Sequence, residues 1–240
     1  MNYLELALVN AQKGIQGPIS HIGVSIGLEQ LQVSKAVAEK GFWFVDIPRT
    51  SSSSIQYMMG RQFGFPFGKA WIPEKGDIEG LSSNLLPPHT LAYQAREVVG
   101  REVWQSANTF SVVRDPYTWS VSLWGYARTI NNLGLKIDTF ELFLQSMQSR
   151  LVGAKEQREL FPSNFSQSDY LTDHQGSLIV NKIFKFEDRD SINEHLNSLG
   201  VENILTDKLV ASSGNEYVMT DRERSLVRNV FAKDFEYFSY

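Results

Sequence analysis

Apolar and polar positions follow two rhythms along the chain. Short apolar runs of β-favouring residues occur at 42–47 ("FWFVDI"), 109–113 ("TFSVV") and, less cleanly, 177–186 ("SLIVNKIFKF"). Between them lie longer stretches with helical spacing: 28–41 closed by Gly41, 53–64, 89–100 ended by Gly100, 115–130, 138–150, 191–200 and 220–238. Several starts carry cap signals. Asp115 is followed by Pro116 at the first helical position, and Asp138 with Glu141, Ser191 with Glu194 and Thr220 with Glu223 have capping-box spacing. The Pro- and Gly-rich residues 65–88 predict loop. Strands alternating with helices predict an α/β fold with a central parallel sheet flanked by helices. Such sheets bind ligands at the carboxyl ends of their strands.

Length and charge narrow the classes. A chain of 240 residues fits one domain, 1–240, large enough to bury a core. The net charge of −4 provides no global field towards nucleic acid or an anionic membrane, so an anionic ligand needs local positive groups. With no cysteine, disulfides, thiol catalysis and thiolate metal sites are excluded. The opening residues lack the pattern of a signal peptide, and no apolar run approaches the length of a membrane span. A soluble, cytoplasmic protein without nucleic-acid or membrane partners is the expectation.

The first chemistry-bearing stretch is "DIPRTSSSS", 46–54, between the first strand and a helix. A helix start offers free backbone N–H groups and the positive end of its dipole to an anion. Thr50, Ser51, Ser52, Ser53 and Ser54 add hydroxyls, and Arg49 adds a permanent charge. A serine-rich turn with a good N-cap is the plainer reading. The arrangement is like a P-loop, although G-x-x-x-x-G-K-[ST] is absent. The second stretch, "TFSVVRDPYTWSVSLW", puts Arg114 at the end of the next buried strand and Ser122 in the following helix, where they can form a second phosphate clamp.

Together these stretches resemble sulfotransferases, closest to the carbohydrate type. "FWFVDIPRTSSSSI" resembles the family's 5′-phosphosulfate loop, F-V-H-I-P-K-T-G-G-T-S, and "FSVVRDPYTWSVSLW" its 3′-phosphate motif. "PPHTLAYQAREVVG", "IFKFED" and "FAKDFEYFSY" resemble further family segments in the same order, so the resemblance spans residues 42–240. Residues 1–41 form a helical lead-in without family signal. The resemblance implies a P-loop-like three-layer fold and a nucleotide co-substrate, 3′-phosphoadenosine 5′-phosphosulfate (PAPS). It assigns Arg49 to Ser54 to the 5′-phosphosulfate, Arg114 and Ser122 to the 3′-phosphate, and His89 to the role of general base. Arg49 would also meet charge on the leaving oxygen. The acceptor would bear a hydroxyl, on a carbohydrate or small molecule.

The chemistry is consistent with that assignment. In-line sulfuryl transfer needs positioning, a cation near the leaving oxygen and a base near neutral pKa. A sulfuryl group carries less charge than a phosphoryl group, so no metal is required. The histidines at 21, 89, 174 and 195 also lack metal-ligand spacing. His89, after Pro87 and Pro88, fits a helix cap as well, and the helix start would disfavour its imidazolium.

Four departures from the family pattern stand out. Arg49 replaces lysine, Ser51 and Ser52 replace glycines, Asp46 stands where histidine is common, and Trp119 where arginine is common. Serines predict a loop that avoids positive φ, and Asp46 puts negative charge beside an anion site unless a basic residue pairs with it. Trp119, Trp124 and Tyr126 read as core or crevice wall, with adenine stacking open to one of them. Glu187 and Asp188 read as solvated or as tying the sheet end to Arg189 or another base. The polar stretch 146–170 reads as part of an acceptor cleft. Two other functions fit less of the text: a binding protein for PAPS or its desulfated product without transfer activity, and a P-loop-type nucleotide kinase.

Overall fold

The structure, a computed structural model, describes residues 30–63, 71–72, 76–77, 89–130, 138–152, 166–201 and 217–240. The rest of the expected loop 65–88, most of the lead-in 1–41 and most of the cleft-like stretch 146–170 lie outside the described residues.

Helix α1 covers 30–40 and turns Val33 and Val37, one turn apart, into the core. Gly41 ends it with φ 74°, donating its N–H to the Val37 carbonyl at 2.8 Å, a left-handed cap that glycine adopts without strain. Strand β1, Phe42–Val45, follows and is buried on both faces. Next come α2, Ser52–Phe63, and the short antiparallel pair β2, Trp71–Ile72, with β3, Gly76–Asp77. Helices α3, Ala92–Val99, and α4, Arg101–Ser106, share Gly100 as the end of one and the start of the other. Strand β4, Asn108–Val113, leads into α5, Pro116–Ile130, then α6, Phe140–Val152, and α7, Gln167–Leu171. Strand β5, Lys182–Lys185, is followed by α8, Arg189–Ser198, α9, Asp221–Val230, and α10, Ala232–Phe238.

The sheet is parallel, three-stranded and ordered β1-β4-β5, with helices around it. The expected α/β class with a parallel sheet is therefore present. The middle strand β4 pairs Phe110 with Phe44 of β1, and the two rings lie 5.1 Å apart. Because all three strands run the same way, their carboxyl ends open on one edge. The segments after Val45, Val113 and Lys185 converge there.

Several local expectations shift. The Thr220–Glu223 capping box forms, and Asp115 Oδ1 accepts from the Tyr117 and Thr118 amides at 2.7 and 3.2 Å. At α6, however, Thr139 rather than Asp138 accepts from the Leu142 amide, because the helix starts one residue later. At α8 the cap is Asp188, whose side chain takes the Ser191 amide and hydroxyl. The expected Ser191–Glu194 box is thereby displaced, and the helix gains its first turn. Residues 220–238 form two helices broken at Phe231. Helix α4 was not expected, since Gly100 reads as a stop.

Among the described residues no helix is long and apolar enough to cross a membrane.

Candidate anion site at the strand ends

The segment after β1 is a tight turn. Thr50 is fully buried and donates its hydroxyl to the Ile47 carbonyl at 2.9 Å, so it builds the turn rather than its outer surface. Ser54 and Ile55 donate their amides to the Ser51 carbonyl, which starts α2. The Ser52 and Ser53 amides have no intrahelical acceptor, as at any helix start. Ser52 and Ser54 are buried, while Ser51 and Ser53 are half-exposed. Arg49 and Ser51 both adopt φ 68°. The expectation of a loop free of positive φ is thus overturned. The turn has left-handed positions and holds residues with a Cβ in them, Arg49 and Ser51, where glycine would be free of strain. Trp119 fastens this turn from α5: it is fully buried and donates its indole N–H to the Pro48 carbonyl at 2.8 Å. It belongs to the support of the turn, not to a stacking surface.

Arg49 reaches α5. Its Nε donates to Ser122 Oγ at 3.1 Å, and its guanidinium lies 5.2 Å from the Tyr126 ring centre. Arg114, after β4, donates Nε to Thr118 Oγ1 at 3.0 Å and lies 4.6 Å from the Phe186 ring centre. Both guanidiniums are half-buried, and neither forms an ion pair among the described residues. Burial lowers the pKa of each. For Arg114 the nearby Glu187 opposes burial, while Arg49 repels it and adds to the lowering. Two arginines from adjacent strand ends, close enough to repel and paired with no carboxylate among the described residues, form a cationic cluster whose repulsion an anion would relieve. Arg49, Arg114 and Ser122 are brought together.

The backbone at Arg114 is clamped. Gln167 Oε1 accepts from the Arg114 amide at 2.8 Å and Gln167 Nε2 donates to the Arg114 carbonyl at 2.7 Å. Asp234 of α10, fully buried, holds α7 in turn by accepting the Gln167 and Ser168 amides at 3.0 and 2.8 Å. Glu187 accepts from the Asp115 amide at 3.0 Å and from the Tyr240 hydroxyl at 2.8 Å. Glu187 and Asp188 are thus a loop tie and a helix cap, and Arg189 pairs with neither among the described ion pairs. Gln167 and Asp234 were not singled out in the sequence. The Ser166–Asp169 capping box inside the polar stretch was the available signal.

His89 precedes α3 with φ 62°. It does not cap that helix, since Leu91 occupies the cap position. Its Nδ1 lies 2.9 Å from Asp46 Oδ2, and its amide donates to the same oxygen at 3.3 Å. Burial would lower the His89 pKa, but the Asp46 carboxylate outweighs it and the pKa is raised. That reverses the expectation of a ring kept neutral by the helix start. Burial would raise the Asp46 pKa, but His89 and the Ser52 hydroxyl bring it below the usual carboxylate value. The negative charge beside the anion site therefore has its basic partner.

Among the described residues no group of three or more His, Asp or Glu could hold a metal ion. Comparison with protein-family models, with curated proteins and with solved structures finds no match.

Proposed function

We propose that the chain moves a sulfuryl group from PAPS to an acceptor hydroxyl, on a P-loop-like three-layer fold. The observation that supports the reading is the pairing of two guanidiniums, Arg49 and Arg114, at the ends of β1 and β4, in the two motif-like stretches read as anion sites. Arg49 with the Ser51–Ser53 turn takes the 5′-phosphosulfate, and Arg114 with Ser122 takes the 3′-phosphate. The acceptor oxygen attacks sulfur, the bond from sulfur to the 5′-phosphate oxygen breaks, and the hydroxyl proton passes to His89. The products are a sulfate ester and 3′-phosphoadenosine 5′-phosphate. Arg49 and the free amides at the start of α2 meet the charge that develops on the leaving oxygen. His89 is a quarter exposed and so is reachable by an acceptor.

The test is transfer of label from ³⁵S-labelled PAPS to a panel of carbohydrate and small-molecule hydroxyls. Label should appear in at least one acceptor and be lost in Arg49→Ala. Tight binding of the desulfated nucleotide with no transfer to any acceptor would favour the second reading, a nucleotide-binding protein. The Arg49–Ser122 bond is its motive, because it ties up the cation that transfer requires. Preference for ATP with magnesium would favour a kinase.

A further inference from the structure

Asp46 is buried at the end of β1, at 6% exposure, and it faces a ring that reaches solvent. One of its oxygens, Oδ2, gathers three groups: the Gln56 side-chain amide at 2.8 Å, the His89 backbone amide at 3.3 Å and His89 Nδ1 at 2.9 Å. Its other oxygen has no hydrogen-bond partner among the described residues. The Nδ1 contact is close but off-line, and no other acceptor among the described residues competes for that nitrogen. Histidine χ2 is a broad torsion, and side-chain bonds of this kind commonly align only when substrate is present.

We infer that Asp46 is a positioning residue: it grips His89 by Nδ1, keeps the proton of the neutral ring there, and leaves Nε2 as the nitrogen that takes up a proton. The catalytic use of that nitrogen rests on the transfer reading above. The geometry has three supports. The Gln56 and His89 amides both point hydrogens at Oδ2, which keeps that oxygen an acceptor and fixes the carboxylate. The left-handed φ of His89 turns the residue so that both its amide and its ring meet one carboxylate, a conformation that costs energy and so needs such an anchor. The raised His89 pKa agrees in direction. Among the described residues the groups that face the pair are few. Gln56 and Ser52 of α2 are neutral donors. Tyr170 of α7 is fully buried near Asp46, and burial with that carboxylate raises its pKa, so it stays protonated. Among the described residues His89 supplies the cationic charge that acts on Asp46.

In a protein whose family pattern has histidine at this position, the acid changes what the site can do. An imidazole backed by a carboxylate is a stronger base and a more stable proton carrier than an isolated one. It also titrates higher, so the neutral form needed for proton abstraction is lost at a higher pH.

The experiment is a pH titration of ¹⁵N-histidine-labelled full-length chain by NMR, with His89→Gln used to identify the resonance. The wild-type neutral ring should carry its proton on Nδ1 and titrate above the ordinary value of about 6.5. In Asp46→Asn the titration should fall by about one pH unit or more. The acid limb of kcat/KM for sulfuryl transfer should fall with it, since that limb reports the free enzyme's base. A wild-type ring with its neutral proton on Nε2 overturns the inference without need of any variant. So does an unchanged titration in folded Asp46→Asn, and so does an acid limb that ignores the His89 titration, which would make Asp46 an anchor of the backbone only. If the NMR results are as expected but no acceptor is sulfated, the transfer reading falls and the positioning of His89 stands.

Discussion

Arg49 Nε and Ser122 Oγ lie 3.1 Å apart, joining the turn after β1 to the helix after β4. The two residues expected at different phosphates are thus hydrogen-bonded neighbours. A ligand with two anionic groups has to part them, and each side then gains a stronger partner than the other. Under the proposed function the guanidinium would exchange the hydroxyl for a phosphosulfate, and the hydroxyl would meet a phosphate. Arg49, placed on the leaving-group side, should matter more to turnover than to donor affinity. Arg49→Ala is expected to lower kcat by about 10²–10³, the usual loss for one donor to a developing anion, with a smaller change in donor affinity. Steady-state kinetics checks it, and full turnover with weakened affinity would make Arg49 a binding residue only.

Trp119 holds the turn from behind. Trp119→Phe keeps the ring's packing against Phe231, whose centroid lies 5.2 Å away, but leaves the Pro48 carbonyl without its donor. The expected cost is about 1–3 kcal/mol of stability, read as a lower denaturant midpoint at unchanged m. Donor affinity should fall with it, because the turn that presents Arg49 is loosened.

Ser51 carries strain that a glycine would not. A left-handed residue with a Cβ costs about 1–2 kcal/mol, and glycine returns about 0.5–1 of that as chain entropy. Ser51→Gly should therefore stabilise the protein by about 0.5–1 kcal/mol, measured by chemical denaturation. A destabilised Ser51→Gly would mean that the serine side chain holds the turn in a way the φ value does not reveal.

Asp234 provides a pH-dependent test. Burial, against the opposing Ser168 and Gln167 bonds, pushes its carboxyl up to about 6. A folded pKa above the unfolded value of about 3.9 means that the folded state holds the extra proton. The stability this group contributes is fully present below about pH 4 and is lost as pH rises through about 6. Relative to Asp234→Asn, the wild type should lose stability between pH 4 and 7. Denaturant midpoints of both proteins across that range measure the slope, and parallel curves would show that Asp234 is already ionised when folded.

The sequence made the strands legible because Phe42–Val45 is apolar on both faces and Thr109–Val113, buried throughout, is a short run of β-favouring residues whose polar members are the small Thr109 and Ser111. It also revealed the convergence of Arg49, Arg114 and Ser122, since strand ends of a parallel sheet share an edge. What it concealed depends on contacts between distant residues. Asp46 reads as a charge out of place until His89, 43 positions on, is seen beside it. Gln167 reads as one more polar residue in an irregular stretch until its side chain closes on the Arg114 backbone. Local rules also competed at the helix starts: Thr139 caps one residue after the Asp138 that spacing alone selected, and Asp188 caps three residues before Ser191. Gly100 was a sound stop signal, but a stop for one helix does not forbid another from starting on the same residue.

The central claim is that two separate anion sites lie at the ends of β1 and β4, and calorimetric titration with 3′-phosphoadenosine 5′-phosphate and with AMP tests it most directly. The wild type should bind the bisphosphate far more tightly than AMP. Arg114→Ala should lose about 1.5–3 kcal/mol for the bisphosphate and little for AMP, which lacks the 3′-phosphate. Equal binding of the two nucleotides by the wild type, or an equal loss for both in Arg114→Ala, would contradict the claim.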